Sequence, residues 1–228
     1  MSRSGVPEGV DLWVQDLDLP VDTSVLDEGE EARALAISDP ERRRRWRSGR
    51  AGMRHVLGRY GGLPPRALRL GREPGGRPTV SGLPARVDFS RSEAGRWSVV
   101  AVSRRRVGVD VEDVGAGAYR DGLADWLFTP SEVEWMRAVA PADRSRRLLR
   151  LWTARESVTK ALGTGLRTDP RRLRVEPGPP LSLVGPPPGT DTVEWHLVEV
   201  DPGHGLVGTV AVWGGRRPLP VGIRHLAG

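Results

Sequence analysis

The chain has 228 residues, 38% of them hydrophobic, enough for one large domain or two small ones with a core. It has no cysteine, which excludes disulfides and thiolate metal sites, and no apolar run long enough to span a bilayer. A net charge of +6 and a pI of about 10.9 favour an anionic partner: nucleic acid, a phosphorylated cofactor or an acidic protein.

The first ten residues carry no charged-then-apolar signal pattern, so a cytoplasmic protein is expected. Val10 to Val14 reads as a strand and Glu28 to Ile37 as a short helix. Ser38-Asp39-Pro40-Glu41 reads as a capping box with Ser38 as N-cap; it opens an arginine-rich helix to about Arg59, ended by Gly61-Gly62. Ala67 to Leu70 is a short strand candidate, and Glu73 to Pro78 is turn chemistry. Val87 to Ser90 and Trp97 to Val102 read as strands, with a turn at Arg104 to Arg106. Val107 to Glu112 alternates: three valines on one face, Gly108, Asp110 and Glu112 on the other. Thr129-Pro130-Ser131-Glu132 is a second capping box, starting a helix to about Val139, and Pro141 starts a longer one ending near Gly163. Pro177 to Pro188 is a proline-rich loop, and Thr192 to Val200 with Leu206 to Trp213 forms a closing hairpin. Strands and helices mix without regular alternation, so the class expected is α+β.

Two groups carry chemistry. Asp110 and Glu112 stand two apart on one strand, so both carboxylates project to the same side. Paired carboxylates repel unless a cation joins them, and hard oxygen donors suit Mg²⁺. An edge strand with a solvated acidic face accounts for the same pattern. The second group is Trp152, Glu156 and Lys160, one stripe of a helix at i, i+4 and i+8, beside a core stripe of Leu148, Leu151, Val158 and Leu162. An ordinary surface pair between Glu156 and Lys160 is the alternative, contributing about 0.3–0.5 kcal/mol. Lys160, however, is the one lysine among 35 basic residues, and a lysine can release a proton where an arginine cannot. Three carboxylates and a lysine suit metal-assisted phosphoryl chemistry.

The ordered set Gly76-Arg77-Pro78, Val87-Asp88-Phe89-Ser90-Arg91-Ser92, Val107-Gly108-Val109-Asp110-Val111-Glu112, Phe128 to Glu132, and Trp152 through Glu156 and Lys160 to Gly165 resembles the Sfp-type 4′-phosphopantetheinyl transferases. The resemblance spans about Ser38 to Gly165. It implies an α+β fold of two similar α/β halves, a pseudo-dimer in one chain. The halves would be residues 1–105, contacting the coenzyme A 3′-phosphate and adenine, and 106–228, holding the metal and the catalytic helix. It further implies Mg²⁺ on Asp110, Glu112 and Glu156, with Glu156 also a general base, and Lys160 on the departing 3′,5′-ADP. Arg77 and Pro78 would lie against the adenine and its phosphates, Ser90 and Arg91 against coenzyme A phosphates, and Arg42 and Arg50 against the 3′-phosphate. Most other arginines of 42–54 are expected to form a solvated face. The partners implied are coenzyme A and an acidic apo acyl or peptidyl carrier protein, with no membrane, no nucleic acid and a monomeric enzyme. Three positions depart from the family pattern: Asp88 for asparagine, Arg91 for histidine and Arg155 for lysine. Glu132 matches a family acid, but its place in the capping box explains it equally well. A basic nucleic-acid-binding protein, a Mg²⁺-dependent phosphohydrolase and a coenzyme A-binding relative without transferase activity are the rival readings.

Overall fold

The computed structural model describes residues 7–83, 87–116, 119–164, 173–185, 187, 190 and 194–226. Gly165, Pro188 and Thr192 of the sequence expectations lie outside them. Strand β1 (Val10–Asp16) alternates: Val10, Leu12 and Val14 enter an inner core, while Trp13 turns to the opposite face. Helix α1 (Glu28–Leu35) is capped by Asp27 and leads to α2 (Pro40–Gly61), a 22-residue helix. The N-cap of α2 is Asp39, not Ser38: its carboxylate accepts from the Arg42 amide, and Glu41 pairs with Arg45 instead of closing a box. Gly62 ends the helix in the left-handed conformation that glycine adopts without penalty.

The chain then forms a small hairpin, β2 (Arg69–Arg72) with β3 (Pro78–Ser81), and a longer one, β4 (Asp88–Ala94) with β5 (Trp97–Ser103). Strand β6 (Arg106–Asp113) is followed by α3 (Asp121–Leu127), α4 (Pro130–Arg137) and α5 (Pro141–Leu162). The expected closing hairpin is present as β9 (Trp195–Val200) and β10 (Leu206–Trp213). The proline-rich segment is not all loop, since Ser182–Val184 (β8) pairs with Arg174–Glu176 (β7). The last strand, β11 (Val221–His225), pairs in parallel with β1. The final strand therefore crosses a division at residues 105 and 106 and returns to the first half.

Besides the two-stranded β2-β3 and β7-β8, two larger sheets result, ordered β11-β1-β5-β4 and β6-β10-β9. Their valine faces share one core, including Val99, Val107, Val109, Val210 and Val212. Helix α2 covers the outer face of the first sheet through Met53, Val56, Leu57 and Tyr60. Helix α5 covers the second through Leu148, Leu151 and Val158, as the core stripe predicts, with α4 packed on α5 and α3 on α4. The architecture is thus mixed α+β, helix on sheet on sheet on helix. Strands β4 and β6 meet through side chains: Asp88 and Ser90 accept from the Val107 and Val109 amides, and Ser92 donates to Asp110. That alternating row of short polar residues satisfies strand-edge groups that a backbone ladder otherwise would.

The arginine-rich face of α2 is not simply solvated. Arg44 and Arg45 pair with Asp18, Arg47 with Glu31, Arg50 with Glu30, and Arg54 is fully buried on Asp27 and Glu30. Positions 47, 50 and 54 share one helical face, and α1 presents its acids to it. Among the described residues, no helix is long and apolar enough to cross a membrane.

Candidate active site

The site forms where β4, β6 and α5 meet. On β6, the face opposite the buried valines carries Gly108, Asp110 and Glu112. Gly108 is required by packing: a Cβ there would sit 2.7 Å from the Ala161 amide nitrogen and closer still to the Ser157 carbonyl. Helix α5 therefore lies directly on β6 at Gly108, and its Trp152, Glu156 and Lys160 stripe comes to flank Asp110 and Glu112. Those five residues form one wall of a cavity of about 460 Å³. Arg50 of α2, Arg72 of β2, and Arg91, Ser92 and Glu93 of β4 form the other. A cavity of about 470 Å³ behind α2, beside His55 and Arg59, has Asp22 as its one carboxylate, so size alone does not identify the site.

Lys160 does not pair with Glu156 along its own helix. Its ammonium reaches across to Asp110 Oδ1 at 2.6 Å and Ser92 Oγ at 2.9 Å, and Ser92 in turn donates to Asp110 Oδ1 at 2.8 Å. Asp110 is buried, and its second oxygen, Oδ2, is buried without a hydrogen-bond partner. Burial, and then the neighbouring charge of Asp110, raise the carboxyl pKa of both Glu112 and Glu156; Lys160 opposes this at both, and Trp152 hydrogen-bonds Glu112. Among the described residues, no three His, Cys, Asp or Glu side chains are gathered closely enough to hold an ion as they stand. The donor set nevertheless fits a hard divalent cation: an orphaned carboxylate oxygen flanked by two carboxyl groups that burial and like charge disfavour as anions.

Other predicted residues take different roles. Arg77 is 5% exposed, and its guanidinium donates to Asp88 Oδ2, the Phe89 and Val107 carbonyls, and the Lys160 carbonyl. With Arg106, which donates to the Ala161 carbonyl, it caps the last turn of α5 and so holds the turn that carries Lys160. These donors hold the turn that carries Lys160, and Arg77 also lines the recess beside Pro78, where the resemblance puts the adenine and its phosphates. Burial lowers its pKa from the ordinary arginine value, and Asp88 offsets this. Asp88 is accordingly neutralised by Arg77 and hydrogen-bonds β6 rather than presenting a free charge. Pro78, Phe89, Ser90 and Arg91 line an adjoining, largely apolar recess of about 250 Å³ that also reaches Lys160. Ser90 Oγ accepts from the Val109 amide, which leaves its hydroxyl proton to donate.

Arg50 lines the main cavity, but its Nε donates to Glu30 at 2.6 Å. Arg42 is exposed at the first turn of α2 and lines neither recess. Glu132 is a buried structural acid: it closes the α4 capping box and takes two hydrogen bonds from Arg155, at 2.7 and 2.6 Å. Arg72 and Ser92 are site residues that sequence reasoning missed. Ser92 was signalled by its two-residue spacing from Ser90 on one strand; nothing in the sequence singled out Arg72.

Residues 106–211, which hold the acids and α5, match the family model described as the 4′-phosphopantetheinyl transferase superfamily. The chain is similar to the 4′-phosphopantetheinyl transferase HetI of Nostoc sp. (strain PCC 7120 / SAG 25.82 / UTEX 2576), 30% identical over 214 residues, 90% of this chain and 88% of HetI. It is 29% identical to a 4′-phosphopantetheinyl transferase of Bacillus subtilis over 153 residues, 62% of this chain and 67% of the relative. It is also 25% identical to Sfp of Bacillus subtilis (strain 168) over 153 residues, with the same coverage of each chain. The chain belongs to the 4′-phosphopantetheinyl transferase family and is an enzyme of that class.

Proposed function

We propose that this enzyme moves the 4′-phosphopantetheine group of coenzyme A to a serine of an acyl or peptidyl carrier protein, with Mg²⁺, and releases 3′,5′-ADP. The observation that carries the metal assignment is the unpartnered, buried Oδ2 of Asp110 in the cavity that Glu112 and Glu156 also line. Those three residues would hold the ion. Mg²⁺, when bound, supplies charge neutralisation for the phosphate oxygens and polarises the bond that breaks. Arg72 and Arg91 meet the phosphates from the opposite wall, and the hydroxyl of Ser90 donates to one of them. The recess at Pro78 and Phe89 takes the adenine. Glu156, beside the ion, also accepts the proton of the attacking serine hydroxyl. Lys160, held against Asp110 and Ser92, places a compact ammonium beside the phosphate that departs, where negative charge grows.

On this reading the chain is two similar α/β halves, 1–105 and 106–228, with coenzyme A in the cleft between them. A 22-residue helix over antiparallel strand pairs in each half supports it. Charge complementarity with the basic chain supports an acidic carrier protein. The test is intact-mass analysis of apo carrier proteins incubated with coenzyme A, Mg²⁺ and enzyme. Addition of one phosphopantetheine is expected; no adduct on any carrier class refutes the transfer.

A further inference from the structure

Two arginines of the cavity already have carboxylate partners, Arg50 with Glu30 and Arg91 with Glu93. The partners differ in kind. Glu30 is 2% exposed, bonds Arg54 as well, and closes the capping box of α1. It is part of the scaffold and cannot leave. The Glu93 side chain is 38% exposed and is itself part of the cavity wall.

Arg91 and Glu93 stand two apart on β4, so they share a face, the one turned to α2. Gly49 of α2 makes room for the pair: a Cβ at that position would lie 2.6 Å from Glu93 Oε1 and closer still to Arg91 Nη2. The Arg91 guanidinium keeps one further bond, from Nε to Ser98 Oγ at 3.2 Å, which fixes its base while its outer nitrogen meets Glu93. The carboxylate thus occupies the place on Arg91 that a phosphate oxygen of a ligand would take. Carboxylate and phosphate are alternative acceptors for the same fork of donors.

We infer, on the coenzyme A reading proposed above, that Glu93 is an internal competitor for Arg91: its carboxylate stands in for the ligand phosphate in the free enzyme and must be displaced when the nucleotide binds. Glu93 thereby sets nucleotide affinity from outside the catalytic acids. It keeps a desolvated arginine paired between turnovers. It also weakens the hold on 3′,5′-ADP, so that product leaves.

The experiment is calorimetric titration of 3′,5′-ADP and of coenzyme A into wild type, Glu93→Gln, Arg91→Ala and the double variant, at one ionic strength. Glu93→Gln is expected to bind 3′,5′-ADP about tenfold more tightly, because a partly exposed ion pair and a like charge beside the phosphate are both removed. Arg91→Ala is expected to weaken binding by about tenfold or more. In the Arg91→Ala background, Glu93→Gln is expected to give at most the small gain of removing a negative charge. Glu93→Ala repeats the measurement should the glutamine re-form the contact with Arg91. Unchanged or weaker nucleotide binding in both Glu93 variants, with Arg91→Ala still impaired, overturns the competitor role alone. Wild-type affinity in Arg91→Ala overturns the phosphate role of Arg91 and the competitor with it. No binding of either nucleotide to wild type refutes the coenzyme A reading itself.

Discussion

Replacing Lys160 with arginine keeps the charge and removes the geometry. The ammonium is held by two acceptors at once, Asp110 Oδ1 at 2.6 Å and Ser92 Oγ at 2.9 Å, while its side chain remains 28% exposed to the cavity. A point charge with rotatable donors serves both and still faces the cavity; a longer, planar guanidinium cannot reproduce that position without moving Asp110 or Ser92. Asp110 is 5% exposed and pinned by Ser92, so the adjustment falls on the arginine, which moves off the departing phosphate. Losing one charge-assisted hydrogen bond in the transition state costs about 1.5–3 kcal/mol, or roughly tenfold to a hundredfold in rate. The loss should fall on kcat rather than KM, because the phosphate charge grows as the bond breaks. The assay is turnover at saturating coenzyme A and carrier protein, with circular dichroism to show an intact fold. A wild-type kcat in a folded Lys160→Arg enzyme would return Lys160 to a structural role and refute the assignment.

Glu132→Ala removes the carboxylate that balances the charge of Arg155, which is 0% exposed, and should cost about 3–5 kcal/mol in urea unfolding; a change under about 1 kcal/mol would contradict a buried pair. Tyr60 lies in a buried triad, accepting from Trp13 at 2.8 Å and donating to Asp11 at 2.6 Å, and burial and then Asp11 push its pKa up. A raised folded pKa stabilises fully below the unfolded tyrosine value of about 10 and less as pH rises above it. Tyr60→Phe should therefore lose about 1–2 kcal/mol at neutral pH but decline less steeply between about pH 10 and 12 in denaturant titrations; parallel declines would show that Tyr60 does not carry the alkaline sensitivity. Ser92→Ala should lower kcat about tenfold through a displaced Lys160, and Ser92→Thr should restore part of it; equal rates in all three would remove Ser92 from the positioning of Lys160.

Much of the site was legible because it rests on strict periodicities. The alternation of 107–112 placed Asp110 and Glu112 on one side, and helical spacing put Trp152, Glu156 and Lys160 on one stripe; local geometry of this kind survives folding. The second partner of Lys160 was not legible, since Ser92 lies 68 positions away and is brought to it where β4 runs beside β6. The buried acceptors of Arg77 were not legible for the same reason: sequence shows a basic residue in a turn, while its four acceptors come from three other elements. Arg54 and Arg155 read as ordinary charges, because burial of a cation depends on carboxylates supplied by another helix, Glu30 and Glu132. Strand β11 went unread because its pairing with β1 spans the whole chain.

The central claim is that Asp110, Glu112 and Glu156 act through a divalent ion. The most direct measurement is intact-mass analysis of an apo carrier protein after incubation with coenzyme A and wild-type or Asp110→Asn enzyme, with Mg²⁺ and with excess EDTA. The prediction is one phosphopantetheine per carrier with wild type and Mg²⁺. EDTA should abolish it reversibly, and Asp110→Asn, folded and still binding coenzyme A, should be slower by about a hundredfold or more. Full transfer in excess EDTA, or a wild-type rate from Asp110→Asn, would contradict the metal assignment and move the chemistry to other residues.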